Sequence, residues 1–302
     1  MSRIDFNASK RGRLSALSAG WLVALLGLLP VSCDTQIDTS SASFVVSIGD
    51  QLQLLSSTGE RLLTFGYGGV MPEWTPDGKS FVFVGLDGIM QQRIGAPTPR
   101  LLFSAGVFPE WPYPLSDGSV LLQICPTCDL LPAHSIAYFD ASMDELRYLT
   151  DSQANDRSPT AAESRDSIYF LSNRDSSLAG SQVYRMSFDG SNPVRITSNR
   201  RASGGLKMAI SRDENRLAYS DTGRIYILDL NTEQVVDSLT VPPEQYPRGS
   251  LSFSPDGDSL LVVTESSPDH VIHLLAYDLA TRSYREILTS TQLISASWRP
   301  AG

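Results

Sequence analysis

The sequence is short of the side chains on which most enzyme mechanisms depend. Its 302 residues include only three histidines and three cysteines. His134, His270 and His273 belong to no metalloprotease pattern, and the chain contains neither a Gly-x-Ser-x-Gly motif nor a glycine-rich phosphate loop. We therefore predict no metal site, no cofactor and no catalytic residue of these common classes.

Basic residues are also scarce. The chain has 24 Lys and Arg against 33 Asp and Glu, a formal net charge of −9. Residues 1–32 hold four of the basic residues and one acidic residue, so the rest of the chain has 20 against 32, or −12. Nucleic-acid binding requires a basic surface. The acidic body argues against a nucleic-acid partner, and against a protein that lies flat on an anionic bilayer.

The N-terminal segment has the pattern of an export signal. A basic stretch precedes an apolar run over residues 14–31, which predicts a signal peptide over residues 1–32. The run ends in Pro30-Val-Ser-Cys33, which resembles a bacterial lipobox except that proline stands where leucine is usual. The resemblance implies lipidation of Cys33 and a flexible tether over residues 33–42. An ordinary cleaved signal, or an uncleaved anchor of about 20 apolar residues, is the alternative.

A short phrase returns at intervals of about 40 residues. It reads Pro-Glu-Trp-Thr-Pro-Asp-Gly over residues 72–78 and Leu-Ser-Phe-Ser-Pro-Asp-Gly over residues 251–257. Proline presets φ in such a turn, aspartate bonds back to the backbone, and glycine takes a positive φ. In the fourth copy we expect Asn215 in the glycine position. The large apolar residues before the turns are aligned as Trp74, Trp111, Ala161, Ile210, Phe253 and Trp298.

The segments after each turn predict short strands. An apolar run comes first, then a β-branched and aromatic segment such as residues 225–230, and most units end on an apolar-Thr pair such as Leu239-Thr240. Four short antiparallel strands per repeat are typical of a propeller blade. Residues 43–64 lack a first strand, which residues 294–298 supply. The sequence therefore predicts an all-β, six-bladed β-propeller over residues 43–302, with a terminal blade shared between the N- and C-terminal strands.

These motifs resemble a known repeat family. The Trp/Phe-Ser/Thr-Pro-Asp-Gly turn, the Ile-Tyr third strand and the Leu-Thr ending are similar to the TolB-type β-propeller repeat, over roughly residues 43–302. The resemblance implies the fold. TolB itself carries an α/β domain before its propeller, for which we expect no counterpart here, so its particular partners are not carried over.

Two cysteines stand close together in Cys125-Pro-Thr-Cys128. Export into an oxidising compartment favours a disulfide between them. A thioredoxin-type redox motif needs a helix after the pair, and no helical period follows. Haem attachment needs histidine where Asp129 stands, and a zinc site with His134 would have too few ligands for a closed structural site.

Candidate binding residues lie in the loops where first strands enter the channel. Basic and aromatic side chains there would suit an acidic peptide or a carboxylate-bearing glycan, although scattered solvated residues are the simpler explanation. The candidate binding residues are Tyr67, Arg157, Lys207, Tyr246 and Arg248.

The Gly-Asp-Ser-Leu sequence at residues 257–260 matches an esterase motif. It fills the same turn and strand positions as residues 78–81, so we interpret it as part of the repeat.

Together these features favour a lipid-anchored propeller on the periplasmic or extracytoplasmic side of the cell envelope, acting as a non-catalytic protein- or ligand-binding scaffold. The expected partners are the membrane, through the N-terminal lipid, and an envelope protein, peptide or glycan. A monomer is favoured. The alternative is a channel-centred enzyme such as a polysaccharide lyase or glycosidase, which needs a carboxylate pair or a Tyr/His/Arg set at the axis. A third hypothesis is a passive spacer within a larger envelope complex.

The predicted disulfide between the two cysteines can be tested directly. We expect thiol titration of the purified, unreduced protein to detect neither Cys125 nor Cys128, because a disulfide has consumed both thiols. The same titration after reduction in denaturant is the control and should recover both. Two titratable thiols before reduction would contradict the bridge.

Overall fold

A computed structural model of the chain describes residues 39–104, 109–126, 133–175, 180–198 and 207–301. These residues contain 24 strands and a single turn of 3-10 helix, Glu163–Arg165. No helix in this part of the chain is long and apolar enough to span a membrane. The predicted signal peptide and the predicted sites at Cys33 and Cys128 lie outside the described residues.

The strands are numbered in chain order and grouped into blades. The closing blade contains β1 (Ala42–Ile48), β2 (Gln51–Ser56) and β3 (Arg61–Gly68). Blade 1 contains β4 (Val70–Trp74), β5 (Ser80–Gly85), β6 (Gly88–Arg93) and β7 (Arg100–Phe103). Blade 2 contains β8 (Pro109–Pro114), β9 (Val120–Ile124), β10 (Ser135–Asp140) and β11 (Glu145–Tyr148). Blade 3 contains β12 (Asp156–Ala162), β13 (Ser167–Ser172), β14 (Gln182–Met186) and β15 (Val194–Arg195). Blade 4 contains β16 (Ala209–Ile210), β17 (Arg216–Ser220), β18 (Arg224–Asp229) and β19 (Gln234–Thr240). Blade 5 contains β20 (Gln245–Phe253), β21 (Ser259–Ser266), β22 (Ile272–Asp278) and β23 (Tyr284–Ser290), and β24 (Ile294–Trp298) completes the closing blade.

Six four-stranded antiparallel sheets form the ring. In blades 1 to 5 the strands follow one another outward in chain order, whereas the closing blade has the order β24-β1-β2-β3. The predicted six-bladed propeller with a terminal blade shared between the two ends of the chain is therefore confirmed. Six clusters of buried apolar side chains hold the ring together, one between each pair of adjacent blades.

The closing blade joins the last strand to the first described strand. Phe44 pairs with Trp298 across β1 and β24, and Ile48 pairs with Ile294. The rings of Phe44 and Trp298 pack edge to face with centroids 5.0 Å apart. The aromatic pair and the strand register together fix the ends of the ring.

Arg299 fastens this closure to blade 1. Its guanidinium lies over the indole of Trp74, 4.9 Å from the ring centroid. Nε donates to the carbonyl of Gly78 and Nη1 to the carbonyl of Thr39, each at 2.9 Å. Gly78 has φ +64°, and a Cβ there would lie 2.8 Å from the carbonyl oxygen of Pro300. The glycine is therefore required both by the turn and by the passage of the C-terminal strand beside it.

The repeated turn phrase has a common hydrogen-bond pattern. In blade 1 the Thr75 hydroxyl donates to Asp77 at 2.7 Å, and the backbone N–H of Lys79 donates to the same carboxylate at 3.0 Å. Ser254 and Asp256 repeat the hydroxyl contact in blade 5. These hydrogen bonds hold the pKa of both aspartates below the usual range. The Asp of the phrase is thus a local acceptor that fastens each turn.

The predicted alignment is wrong by one residue in blade 4. Glu214, not Asn215, takes the left-handed conformation, with φ +52°. The turn is counted from Ser211, whose carbonyl accepts the N–H of Glu214 at 2.8 Å. The N–H of Asn215 instead donates to the side chain of Asp213.

The alignment is also displaced in blade 2. Gly118 donates to the carbonyl of Leu115 as Gly78 donates to Thr75. Counting back from these turns, Pro114 and not Trp111 occupies the position of Trp74. The size of the tryptophan side chain was misleading, because the turn and not the apolar residue sets the register.

The apolar-Thr ending acts as a cap in two blades. Thr150 and Thr197 lie just beyond the short outer strands of blades 2 and 3. Their hydroxyls accept the backbone N–H groups of Ile136 and Val183, each at 3.0 Å. The threonine thereby satisfies a buried donor at the start of the third strand, where the outer strand no longer reaches it.

Antiparallel strands give the ring two distinct faces. The turns between first and second and between third and fourth strands lie on one side, here called the turn face. The links between blades and the loops between second and third strands lie on the other side, here called the loop face.

Replacement of Arg299 tests the closure. We expect Arg299→Ala to lower the free energy of unfolding by about 2–4 kcal/mol, because it removes a cation–π contact and two charge-assisted hydrogen bonds. Thermal unfolding measures the change, at about 2–4 °C per kcal/mol. Arg282→Ala is the matched control, since Arg282 makes an exposed ion pair with Asp237 worth about 1 kcal/mol or less. Equal melting temperatures for the two variants would contradict the assigned role.

Candidate functional site

The channel contains a cavity of about 400 Å³ in the half nearest the turn face. It is bounded by the innermost strands and by the first turns of the blades, and every blade contributes to it. Its apolar lining includes aromatic and proline side chains from four blades and an isoleucine from a fifth. These are Trp74, Pro76, Tyr113, Pro114, Phe253, Pro255, Trp298 and Pro300, with Ile210 from blade 4.

Trp74 is the most notable aromatic residue of this lining. Its side chain is only 4% exposed, and its indole nitrogen has no hydrogen-bond partner among the described residues. A buried N–H without a partner costs free energy of about 1–3 kcal/mol.

Two carboxylates at the cavity mouth connect neighbouring blades. Glu163 accepts the backbone N–H of Ser116 at 3.0 Å, and its other oxygen accepts the Ser116 hydroxyl at 2.5 Å. Glu214 accepts the backbone N–H groups of Glu163 and Ser164, each at 2.9 Å. Blades 2, 3 and 4 are thus linked through their first turns.

The same link is impossible where the phrase has proline. Pro76 and Pro255 stand at the second position of the turn, where Ser116 and Ser164 donate in blades 2 and 3. Proline has no backbone N–H to donate. Glu163 and Glu214 therefore lie beside the turns of blades 2 and 3, which have no proline at the second position.

An ion pair crosses the channel. Lys207, just before β16 of blade 4, contacts the carboxylate of Glu73 on β4 of blade 1. Blades 1 and 4 are opposite one another in a ring of six. The two side chains are 5% and 14% exposed, so the pair is largely withdrawn from water. It forms a strut across the channel, and its Glu73 side also lines the cavity.

A second side chain reaches over the cavity mouth. Arg212, on the first turn of blade 4, donates to the carbonyl oxygen of Ala301 beyond β24. Arg212 is exposed and lines the cavity. It is placed to contact whatever enters from the turn face.

The five predicted binding residues fall into different surroundings. Tyr67 packs between the closing blade and blade 1, where its ring stacks on Phe83 and its hydroxyl donates to Gln92 at 2.5 Å. Lys207 is buried in the strut. The binding role proposed for these two residues stays a prediction, and neither side chain is directed freely to solvent.

Arg157, Tyr246 and Arg248 lie on innermost strands near the loop-face mouth. Arg157 donates through Nε to Asn155 at 2.8 Å, and burial lowers the pKa of its guanidinium while the charge of Glu110 opposes that shift. Tyr246 and Arg248 both contact Glu265 of their own blade. The structure thus brings Tyr246 and Arg248 together and places Arg157 elsewhere on the rim.

Several charged residues of the channel were not among the sequence candidates. They are Glu73, Glu163, Glu214, Glu265 and His270. Glu73 precedes Trp74 in the repeated phrase, so its position on an innermost strand could be predicted from the sequence. Its partner is 134 residues away in the chain, and nothing local signals that contact. Within the described ranges, no three His, Cys, Asp or Glu side chains gather in a group able to hold a metal ion.

Comparison with known proteins gives the fold a name. No protein-family model matches the sequence, and no curated protein matches it. TolB from Acinetobacter baumannii superposes with a TM-score of 0.69 at 22% identity, over 86% of this chain and 67% of that chain. The chain has the TolB-type propeller fold. A TolB from Agrobacterium tumefaciens gives a TM-score of 0.63 at 13% identity, over 86% of this chain and all of that chain.

The same fold also occurs in an enzyme. Oligogalacturonate lyase from Vibrio parahaemolyticus gives a TM-score of 0.56 at 14% identity, over 78% of this chain and 70% of that chain. At such identities the TolB-type likeness establishes architecture alone. Function has to be argued from the residues of the site.

The strut can be tested by removing one or both of its partners. We expect Lys207→Met to destabilise the protein by about 3–5 kcal/mol, because it leaves the Glu73 carboxylate buried and unpaired. The double variant with Glu73→Met should recover most of this loss, since it removes both charges and keeps the volume. Chemical unfolding of the three proteins measures the effect. A double variant no more stable than Lys207→Met would show that the ion pair is not the cause.

Proposed function

We propose that this chain is a lipid-anchored propeller of the cell envelope that binds a protein or ligand without catalysis. The carrying observation is the cavity of about 400 Å³ at the turn face, formed by all six blades and lined by aromatic and proline side chains. Concave, mostly apolar sites with a few polar groups are the usual form of a binding pocket.

The carboxylates of this cavity support binding rather than chemistry. A general acid or base needs a carboxylate within hydrogen-bond reach of the substrate. Glu73 is paired with Lys207, and Glu163 and Glu214 each accept hydrogen bonds from a neighbouring blade. Each is therefore engaged in holding the ring, and proton transfer would have to break a structural contact.

The anchoring part of the proposal rests on the N-terminal sequence. The basic stretch, the apolar run and the lipobox-like ending support export and lipidation at Cys33. Export would take the chain into an oxidising compartment, which favours a disulfide between Cys125 and Cys128. Cys125 is buried at the end of β9, a position that would protect a disulfide from reduction.

The second candidate is a polysaccharide lyase acting at the channel. One observation favours it: Tyr246, Arg248 and His270 all contact Glu265, which brings a tyrosine, an arginine and a histidine together at the loop-face mouth. A Tyr/His/Arg set is one of the two arrangements that such chemistry requires. The fold shared with an oligogalacturonate lyase is in keeping with this candidate.

Site-specific photo-crosslinking tests the leading proposal. A benzophenone amino acid in place of Arg212 should yield an adduct of defined mass in the native envelope, because this position overlooks the cavity. The same replacement of Arg282 is the matched control, since it lies on another turn of the same face but away from the cavity. Mass spectrometry of the adduct identifies the bound molecule.

Two outcomes would count against this proposal. Absence of an adduct at position 212, or equal adducts at 212 and 282, would show that the cavity binds nothing specific. Membrane fractionation of the same cells, with Cys33→Ser as the comparison, tests the anchor separately. A Cys33→Ser chain that stays in the membrane fraction would refute lipidation as the means of anchoring.

A further inference from the structure

The loop-face mouth of the channel carries two similar groups of polar side chains. One is on blade 5 and contains Glu265, His270, Arg248 and Tyr246. The other joins blades 2 and 3 and contains Glu110, His134, Asn155 and Arg157. Blades 2 and 5 stand opposite each other in the ring, so the two groups face each other across the mouth.

The blade 5 group is organised by one buried carboxylate. The side chain of Glu265 is 7% exposed. Its Oε1 bonds to His270 Nδ1 at 2.7 Å, its Oε2 forms an ion pair with Arg248 Nε at 2.8 Å, and the hydroxyl of Tyr246 also bonds to it. Burial alone would raise the pKa of Glu265, but the hydrogen bonds from His270 and Tyr246 and the positive charge of Arg248 together lower it. The carboxylate is therefore ionised and holds the three side chains in place at neutral pH.

The outer ends of these side chains remain in water. The side chain of His270 is 76% exposed and that of Arg248 is 49% exposed. Glu265 contacts one nitrogen of each residue, and Tyr246 also contacts Arg248. The exposed parts of the His270 ring and of the Arg248 guanidinium are still open to a ligand. A guanidinium held in this way presents its fork to a carboxylate with little loss of side-chain freedom.

The group on blades 2 and 3 supplies both donors and acceptors. His134 contacts Asn155 through Nδ1 at 2.9 Å and Glu110 through Nε2 at 3.6 Å. Gln123 donates to the same glutamate at 2.6 Å. The side chain of Glu110 is 39% exposed, so its carboxylate can accept further hydrogen bonds from solvent or a ligand.

We propose that the loop-face mouth is a binding site for an acidic oligosaccharide, in which Arg248 and His270 receive a sugar carboxylate. This site is separate from the turn-face cavity, and it does not depend on what that cavity binds. Sugar hydroxyls are both donors and acceptors, which matches a mouth that mixes Glu110 and Asn155 with Arg157 and the two histidines. An acidic peptide fits less well, because its acidic side chains carry no hydroxyl groups to donate to Glu110 and Asn155.

Calorimetric titration of the purified full-length protein with trigalacturonate tests the site. We expect saturable binding to the parent protein, and a loss of affinity of about tenfold or more for Arg248→Ala, which removes a charge-assisted hydrogen bond. Arg282→Ala, an exposed arginine of the same blade on the turn face, should bind within about twofold of the parent. Equal melting temperatures of Arg248→Ala and the parent establish that the loss is local.

Two further ligands complete the experiment. Galactotriose, which lacks the carboxylates, should bind at least about tenfold more weakly than trigalacturonate, and a hexaglutamate peptide should also bind more weakly. Absence of saturable binding, an unchanged affinity in Arg248→Ala, or tighter binding of hexaglutamate would each overturn the proposal. Cleavage of trigalacturonate during the titration would support the site while refuting the non-catalytic function.

Discussion

The structure depends on the pairing of β24 with β1. This single antiparallel contact converts an open row of sheets into a ring, and it removes the two strand edges that an open row would expose. The cavity of the turn face exists only because of it, since Trp298 and Pro300 form one wall and Trp74 forms the next. Arg299 ties the same two walls together through the indole of Trp74 and the carbonyl of Gly78. Stability and the shape of the candidate site therefore have a common origin.

Charges inside the ring are arranged in pairs. An acidic body places many carboxylates near the axis, where a lone charge is costly. Lys207 offsets Glu73, Arg248 offsets Glu265, and backbone N–H groups satisfy Glu163 and Glu214. The difference between the two mouths follows from the kind of partner. At the turn face the carboxylates bond to the backbone of neighbouring blades, and the cavity beside them is lined by aromatic and proline side chains. At the loop face they bond to long side chains whose outer ends stay in solvent.

The fold was readable from the sequence because its signals are local. Each Ser/Thr-Pro-Asp-Gly turn makes its hydrogen bonds within five residues, so the phrase marks the hairpin wherever it occurs. The errors have the same origin. In blades 2 and 4 the turn sequence differs from the repeated phrase, and the alignment there relied on the size of Trp111 and the turn propensity of Asn215. The register is in fact set by the backbone hydrogen bonds to the carbonyls of Leu115 and Ser211. The contact between Lys207 and Glu73 is of another kind. It joins opposite blades, and only the closed ring brings those residues together.

The candidate residues at the loop face show how far sequence reasoning reaches toward a site. Tyr246 and Arg248 were identified because loops at a channel mouth commonly bind ligands, and the structure places both on one carboxylate. Glu265 and His270, which complete that group, looked like an ordinary strand end and a loop residue. Their role follows from geometry: β20 and β21 pair Tyr246 with Glu265, and the loop after β21 turns His270 back onto the same side chain. A buried glutamate that holds an exposed arginine and an exposed histidine contributes little to packing. Its position is better explained by the side chains that it presents to a ligand.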